Sequence, residues 1–355
     1  MSVKFTVIVP VHNGEKYIDD LMGSVLCQVD EEEDNLEVIL VENGSVDVTP
    51  AICDRYAEEY ECVRALHFGP IGAYRARREG MRAASGDYLV FADVDDMVSD
   101  KLIDELTRYI LFFNERGKRP DVILYNAATD DNRDKRMFGF EFEENKLYSD
   151  KTAFYKLMQL NDSLNAMWNK AISSGLAARI LEEESGSHEE KSFNHGEDLL
   201  QTAEILDKAG SIAYLDSILY YYRENNSGLT GGYHRDALEN QVKAWSAFDE
   251  YAAKWSGDTY LGLIDERKTL TCCISVAKLI YSGIPGGDKK RDLAAILEDP
   301  FYRTYAAGKL PDWAPEESVF VHKLMMADKP MKELLASGRS FRFRQTIKGL
   351  IRRKK

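Results

Sequence analysis

Residues 5–26 read FTVIVPVHNGEKYIDDLMGSVL, an apolar β-branched run followed by a short polar turn and an amphipathic segment. The first seven residues suit a buried parallel strand, and the apolar residues from Tyr17 to Leu26 fall on one helical face. Asn13 and Gly14 lie between the two, and these residue types favour a helix cap and a sharp turn. This stretch predicts a strand, a tight loop and a helix, in that order.

The same alternation continues up to residue 92. We predict further strands and helices, in chain order, at 36–41, 49–60, 63–68, 73–84 and 88–92. A series of this kind folds as a mainly parallel, doubly wound α/β sheet with helices on both faces. Ligands bind such sheets at the carboxyl ends of the strands. Neither GxGxxG nor GxxxxGK[ST] occurs at these ends, so any nucleotide binds by another motif.

The remainder of the chain is mixed at first and then almost wholly helical. We predict strands at 122–127, 137–142 and 212–222, helices at 152–160 and 197–209, and only helices after residue 235. The resulting division has three parts: residues 1–110 and 111–232, which are two halves of one α/β domain, and a C-terminal helical region, residues 233–355.

The composition is that of an acidic globular protein. Hydrophobic residues make up 44% of the chain, charged residues 30%, and the net charge is −14, which argues against a nucleic-acid partner. The five cysteines include no CxxC pair, so we expect a reducing compartment, the cytoplasm. No signal peptide is evident at the N-terminus, and no apolar stretch reaches the ~18 residues of a membrane span.

The C-terminal segment, residues 339–355, differs from the rest in charge. It holds eight Lys or Arg residues and no acid, with apolar residues on one stripe at Phe343, Ile347, Leu350 and Ile351. This pattern predicts a basic amphipathic helix. An anionic membrane surface, the acidic surface of the chain itself and a groove on a partner enzyme are the three alternatives for where it docks.

Three acids follow the apolar strand at residues 88–92. Asp93, Asp95 and Asp96 stand at the mouth of this strand, where clustered carboxylates repel each other. A divalent cation with a preference for oxygen ligands, Mg²⁺ or Mn²⁺, would offset that repulsion. The alternative is that these residues cap the helix that begins near Ser99.

Six blocks of the chain together resemble family 2 glycosyltransferases, which are inverting enzymes with the GT-A fold. The blocks agree in type, order and spacing over about residues 4 to 230: VIVPVHNGEKYIDDLMGSVLCQ, LEVILVENGSVDVT, GAYRARREGMRAASGDYLVFADVDD, AMWNKAIS, HGEDLL and YYYRENNSGLT. The resemblance implies that residues 1–110 bind the nucleotide-sugar and that residues 111–232 bind the acceptor and supply the catalytic base.

The resemblance also implies roles for single residues. The nucleotide-sugar would be held by Pro10, Val11, Asn13, Glu15, Glu42, Asn43, Ser45, Arg77, Asp93 and Val94. Asp95 would bind the metal, and Asp198 would be the catalytic base, with Glu197 as the alternative. Arg223 would pair either with the diphosphate or with acids of the chain.

We make a separate prediction for each of three further residues. Arg78 occupies a position that is often Asn in the family, and we predict that it faces solvent. We expect Trp168 to pack beneath the site rather than to stack on an acceptor sugar. We expect His195, in a polar loop, to be a bystander rather than a metal ligand.

The function implied is metal-dependent transfer of a sugar, with inversion, from a nucleoside diphosphate, preferably UDP, to a hydroxyl of a saccharide or lipid-linked acceptor. Mn²⁺ or Mg²⁺ would neutralise the leaving diphosphate, and a carboxylate would take the hydroxyl proton. Cell-surface polysaccharide synthesis, in the cytoplasm or on the inner face of the cytoplasmic membrane, is the expected setting. The alternative is a non-catalytic subunit that binds nucleotide-sugar or glycan in an assembly complex.

Overall fold

The computed structural model describes residues 2–30, 32, 34–182, 196–224 and 232–340. The chain divides into two compact units. An α/β unit comprises residues 1–158 and 162–225, and a helical unit comprises residues 159–161 and 226–355.

The α/β unit is built on one mixed sheet. Its described residues form nine strands: β1 (Phe5–Val11), β2 (Leu36–Asn43), β3 (Val63–Phe68), β4 (Tyr88–Phe91), β5 (Met97–Val98), β6 (Val122–Thr129), β7 (Leu147–Tyr148), β8 (Lys170–Ser173) and β9 (Ile212–Tyr222). They lie in the order β3-β2-β1-β4-β8-β6-β9-β5, with β7 paired to β9. The first four strands are parallel, β8 runs antiparallel to both β4 and β6, and β9 is parallel to β6.

Helices connect these strands: α1 (Ile18–Leu26), α2 (Thr49–Glu59), α3 (Gly72–Ala83), α4 (Leu102–Asn114), α5 (Thr152–Leu160), α6 (Ser174–Glu182) and α7 (Glu197–Lys208). Strands β1 and β2 are almost entirely buried, as their β-branched sequences predict. Helix α3 packs closely on them because Gly80 has no side chain, and a Cβ there would collide with Ile8. The predicted parallel sheet with crossover helices is thus present in the first third of the chain.

The helical unit contains α8 (Ala237–Ser256), α9 (Leu261–Tyr281), α10 (Gly286–Glu298), α11 (Pro300–Tyr305) and α12 (Glu316–Met325). Its buried core includes Cys272, Cys273 and Val276 of α9, together with Leu293 of α10 and Val321 of α12. Among the described helices, none combines the length and the apolar character that a membrane crossing requires. The predicted tail helix falls on residues 341–355 for the most part, and those residues lie outside the described ranges.

One predicted strand is wrong. Residues 137–142 form no strand, although their sequence alternates apolar and polar side chains. The phenylalanines of this segment pack instead on other aromatic rings, with Phe138 stacked on Trp168 and Phe142 on Phe154. The alternation of apolar and polar residues in this segment reflects the packing of its phenylalanine rings on other aromatic rings and not the pairing of strands in a sheet.

Candidate active site at the carboxyl edge of the sheet

The loops that follow β1 and β2 are tied together by hydrogen bonds. Asn13, which has a φ of 51°, donates its backbone N–H to Ser45 Oγ (3.0 Å), and its Oδ1 accepts from the Val46 N–H (2.9 Å). The ring nitrogen Nδ1 of His12 lies 3.0 Å from the carbonyl oxygen of Asn43. Asn tolerates a positive φ better than most residues, which explains its place at this turn. The two loops therefore form one structural piece at the edge of the sheet.

This piece also contacts the acidic loop that follows β4. The Gly14 N–H donates to Thr49 Oγ1 (2.8 Å), and a Cβ on Gly14 would lie 2.7 Å from a methyl group of Val94. Val94 stands between Asp93 and Asp95. The position of Gly14 thus bears directly on the position of the two acids.

The residues predicted to hold the nucleoside differ in exposure. Val11 is fully buried and Pro10 partly so, whereas Asn13 and Glu15 are exposed. A buried Val11 offers only its backbone to a ligand. Asn13, Glu15 and the half-buried Ser45 are the side chains of this set that reach the surface.

Glu42 is buried and holds its own loop in place. Its Oε1 accepts from the Ser45 N–H (2.5 Å), and its Oε2 lies 3.7 Å from Nδ1 of His67. Nε2 of His67 is 2.8 Å from Asp54. The carboxylate of Glu42 therefore serves the loop after β2 directly.

Asn43 fixes the start of α3. Its Oδ1 accepts from the N–H groups of Ile71 (2.8 Å) and Gly72 (3.1 Å), the residues at which this helix starts. Helix α3 carries Arg77. The end of β2 thereby sets the position of this arginine.

Arg77 joins the two halves of the α/β unit at a single buried guanidinium. Its Nη1 donates to Asp198 Oδ1 (2.6 Å) and to Gln201 Oε1 (3.0 Å), and its Nη2 donates to Asp93 Oδ1 (3.1 Å). The side chain of Arg77 is 3% exposed, whereas those of Asp93 and Asp198 are 35% and 31% exposed. Two acids predicted from distant blocks of the sequence thus meet, each with a face toward solvent.

Burial and nearby charges shift the pKa values of Asp198 and Glu197. Burial raises the pKa of Asp198, and the nearby charge of Arg77 opposes that rise. Burial and the charge of Asp198 raise the pKa of Glu197, which also precedes Asp198 at the start of α7. A carboxylate whose pKa is raised toward neutrality is a better proton acceptor than an ordinary one.

Lys170 is a functional candidate that the sequence reasoning missed. It is 1% exposed at the start of β8, and burial lowers its pKa to about 7 while the charge of Asp198 opposes that effect. Its ammonium donates to the carbonyl of Leu164 (2.7 Å), to Asn169 Oδ1 (2.7 Å) and to the carbonyl of Ala166. The feature of the sequence that could have pointed to Lys170 is a lysine at the start of the short apolar strand KAIS.

The acidic loop after β4 is held from below by Tyr220. Its buried hydroxyl donates to Asp96 Oδ2 (2.7 Å) and accepts from the Asp93 N–H (3.0 Å), while the Arg223 N–H donates to Asp96 Oδ1 (2.7 Å). Burial, with the charges of Asp93 and Asp95, raises the pKa of Asp96 to about 8. Asp96 is therefore a structural member of the loop, and Asp95 is the half-buried acid beside it.

The alternative that these acids cap the next helix is wrong. Helix α4 begins at Leu102, and the residue before it, Lys101, makes no capping bond through its side chain. Backbone N–H groups at this end bond to Ser99 instead.

The acidic loop suits a cation shared with a ligand better than one held by protein alone. In the part of the chain that the structure describes, no three His, Cys, Asp or Glu side chains are grouped to hold a metal. Burial is the main cause of the raised pKa of Asp96, and the negative charges of Asp93 and Asp95 add to it. Mg²⁺ sites that use one or two carboxylates and the phosphates of a substrate have this character.

Two arginines near the site pair with acids of the chain. Arg223 pairs with Asp20 (2.9 Å) and lies 3.6 Å from Asp130, and its contact with the diphosphate stays a prediction. The prediction that Arg78 faces solvent is wrong, because Arg78 is 3% exposed and pairs with Glu204 of α7. The face of α3 that carries Arg78 is covered by protein.

Trp168 packs beneath the acidic loop, as predicted. It is 7% exposed, and its ring stacks on that of Tyr220 with the centroids 4.6 Å apart. His195 lies outside the described residues.

Comparison with known proteins shows similarity to glycosyltransferases over part of the chain. Residues 6–168 match the model of the family described as Glycosyl transferase family 2. Glycosyltransferase GlyG of Streptococcus pneumoniae serotype 4 is 32% identical over 139 residues, which are 39% of this chain and 44% of that protein. Poly(ribitol-phosphate) beta-N-acetylglucosaminyltransferase TarS of Staphylococcus aureus strain Mu50 is 31% identical over 109 residues, 30% of this chain and 19% of that protein. The chain thus spans less than half the length of either relative.

A solved structure shares the fold. The crystal structure of S. aureus TarS 1-349 in complex with UDP-GlcNAc superposes with a TM-score of 0.51 at 17% identity, covering 96% of this chain and 91% of that chain. The predicted GT-A fold is confirmed, and residues 6–168 of the chain are similar to glycosyltransferase family 2.

Proposed function

We propose that this chain is a metal-dependent, inverting glycosyltransferase that moves a sugar from a UDP-sugar to a hydroxyl of a saccharide or lipid-linked acceptor. The observation that carries the proposal is the meeting of Asp93 and Asp198 on Arg77, 2.6–3.1 Å from its guanidinium nitrogens. A donor-side acid and an acceptor-side acid stand at one edge of the sheet, as a direct displacement between two substrates requires.

The donor would lie along the loops after β1, β2 and β4. Asn13, Glu15 and Ser45 would contact the nucleoside, Asp93 and Val94 would lie near the ribose, and Glu42 would keep the loop after β2 in shape. UDP is the preferred nucleotide because the TarS structure with this fold was solved with UDP-GlcNAc.

Asp95 would hold Mn²⁺ or Mg²⁺ together with the diphosphate, and the cation would neutralise the negative charge of the departing UDP. Support comes from the raised pKa of Asp96, to which the charges of Asp93 and Asp95 contribute after burial. The fixed loop of Asp93, Val94 and Asp95 would orient the diphosphate for departure.

Asp198 would take the proton of the acceptor hydroxyl. Its Oδ1 is bound to Arg77, so Oδ2 is the oxygen that remains for this proton. As the acceptor oxygen bonds to the anomeric carbon, the bond from that carbon to the diphosphate oxygen breaks and the proton passes to Asp198. Attack opposite to the leaving group inverts the anomeric centre. Glu197, whose pKa is also raised, is the alternative base.

Polymer synthesis at the cell surface is the setting we propose, with the chain in the cytoplasm or on the inner face of the membrane. One relative is named for transfer of N-acetylglucosamine to poly(ribitol-phosphate). The eight basic residues in 339–355 would attract an anionic lipid surface.

A screen of nucleotide-sugars tests the donor and the metal together. We expect at least one UDP-sugar to raise the melting temperature only when Mn²⁺ is present, and Asp95→Ala to abolish the rise. Asp100→Ala, which removes an exposed acid from the same region, serves as the control and should respond like the parent. Equal responses of the parent and Asp95→Ala would refute the metal assignment.

Turnover tests the base. We expect Asp198→Asn to bind UDP as the parent does and to release UDP from the donor and acceptor about 10²–10⁴-fold more slowly, because the proton acceptor is lost. Full turnover in Asp198→Asn would move the base to Glu197, and an inactive parent with every donor would refute the proposed function.

A further inference from the structure

Arg77 has its donors turned toward protein rather than toward the open edge of the sheet. The residue is 2% exposed, and its two terminal nitrogens bond to Asp198, Gln201 and Asp93. Its Nε is buried without a hydrogen-bond partner. The three bonds take three of the five N–H groups of the guanidinium, and a residue that is 2% exposed has almost no surface to offer a diphosphate.

We infer that Arg77 is a positioning residue that keeps the carboxylate of Asp198 ionised and aligned with Asp93, and that it does not bind the donor diphosphate. The inference rests on the proposed function, since it assigns the proton-accepting role to Asp198. It replaces the donor contact that the family resemblance implies for Arg77.

Four charged groups of the described residues face Asp198 from the elements around it. Asp93, at the end of β4, and Glu197, on α7 itself, both disfavour a second negative charge, and so does burial. Arg77 from α3 and Lys170 from β8 favour that charge. Among the described residues, Arg77 bonds to Asp198 directly, whereas the Lys170 ammonium donates to Asn169 and two backbone carbonyls. Arg77 is therefore the main counter-charge of the base.

The neighbouring arginine provides a matched control. Arg78 is equally buried on the same helix and pairs with a different acid of α7, Glu204. Substituting Arg78 removes a buried ion pair between α3 and α7 and leaves the two acids with their guanidinium. A purely structural role of Arg77 would make the two substitutions equivalent.

The test compares Arg77→Gln and Arg77→Lys with Arg78→Gln and Arg78→Lys. Without the cation, the pKa of Asp198 rises, so a larger share of the base is protonated at a given pH. We expect the acid limb of the kcat profile to move upward by about 1–3 pH units in Arg77→Gln. Arg77→Lys should recover part of that shift because it keeps the charge and loses the two-pronged geometry.

Two further readouts separate positioning from donor binding. In Arg77→Gln, kcat at neutral pH should fall about 100-fold, and the dissociation constant for UDP with Mn²⁺ should stay within about threefold of the parent. The Arg78 variants should melt at lower temperature and keep the parent pH profile. An unmoved acid limb together with UDP binding weakened more than about 30-fold would overturn the inference and make Arg77 a donor ligand.

A spectroscopic measurement covers the case in which neither Arg77 variant folds. The infrared spectrum of ¹³C-aspartate-labelled protein, minus that of Asp198→Asn, reports the ionisation of Asp198 in the intact site. A carboxylate band that persists down to pH 6 supports the ion pair, and its loss above that pH overturns the inference. A parent that folds, shows this band and transfers sugar from no donor would refute the proposed function alone.

Discussion

Adding one methyl group at Gly14 should disturb the acidic loop without altering any charged residue. A Cβ at this position would lie 2.7 Å from Cγ2 of Val94 and 3.1 Å from Cγ1 of Val11. Since carbon atoms pack at about 3.5–4.0 Å, Val94 must yield by about 1 Å. Val94 is β-branched and stiff, so its backbone, and with it Asp93 and Asp95, moves too.

The expected magnitude follows from that displacement. Overpacking of this kind costs about 1–3 kcal/mol of stability, and a misplacement of about 1 Å in a site of this type costs up to about 10²-fold in rate. We therefore expect Gly14→Ala to weaken UDP binding in the presence of Mn²⁺ by about tenfold or more, measured by titration calorimetry. Gly23→Ala is the control, because a Cβ there meets no atom within 4 Å.

A double-mutant cycle makes the reasoning falsifiable. Val94→Ala removes the methyl groups that a Cβ at Gly14 would strike, so Gly14→Ala with Val94→Ala should bind UDP more tightly than Gly14→Ala alone. The coupling energy between the two positions should be about 0.5–3 kcal/mol. Additive effects, or parent affinity in Gly14→Ala, would show that Gly14 does not set the position of the acids.

Two further predictions concern buried hydrogen bonds of the α/β unit. Burial alone would raise the pKa of Glu37, yet hydrogen bonds from Thr6 and a backbone amide hold that pKa below the ordinary value of 4.5. The ionised carboxylate therefore stabilises the fold above pH 4.5, and this stabilisation is lost as the pH falls through the folded pKa. Glu37→Gln should therefore cost about 1.5–3 kcal/mol in urea unfolding at pH 7, with a difference that shrinks below pH 4.5; a difference that grows in acid would contradict this. Tyr220→Phe removes the hydroxyl bound to Asp96 and should raise the half-saturating Mn²⁺ concentration about tenfold. Tyr88→Phe also loses a buried hydroxyl bond, remote from the acidic loop, and should leave that concentration unchanged; equal effects of the two would count against a role for Tyr220 in the loop.

Local sequence pattern predicted most of the sheet in the α/β unit. The strands at 5–11, 63–68 and 212–222 and the helix at 152–160 begin and end where the pattern placed them. Each of these segments carries its own signal in residue type and periodicity. The strand predicted at 137–142 was wrong because the phenylalanines of this segment pack on rings from elsewhere in the chain. A local sequence pattern contains no information on such distant contacts.

The candidate site was predictable in its residue types but not in its contacts. Asp93 and Asp198 were expected from separate blocks, yet nothing local showed that Arg77, 121 positions before Asp198, would bond to both. Alternating charge on α3 suggested a solvated face, whereas Arg78 meets Glu204, 126 positions further along. Burial of a charge depends on which distant segment covers it, and a single sequence does not show this.

Strand β8 determines how long the edge of β4 remains unpaired while the chain is being made. Its four residues, 170–173, are the outer partner of β4, so a nascent chain that has already formed β1 to β4 presents β4 as an unpaired edge. At about 5–20 residues per second, the ribosome needs several seconds to reach β8. Unpaired apolar edges recruit strands from other chains. We therefore expect the yield of folded protein during expression to respond to translation speed and to chaperones that shield such an edge.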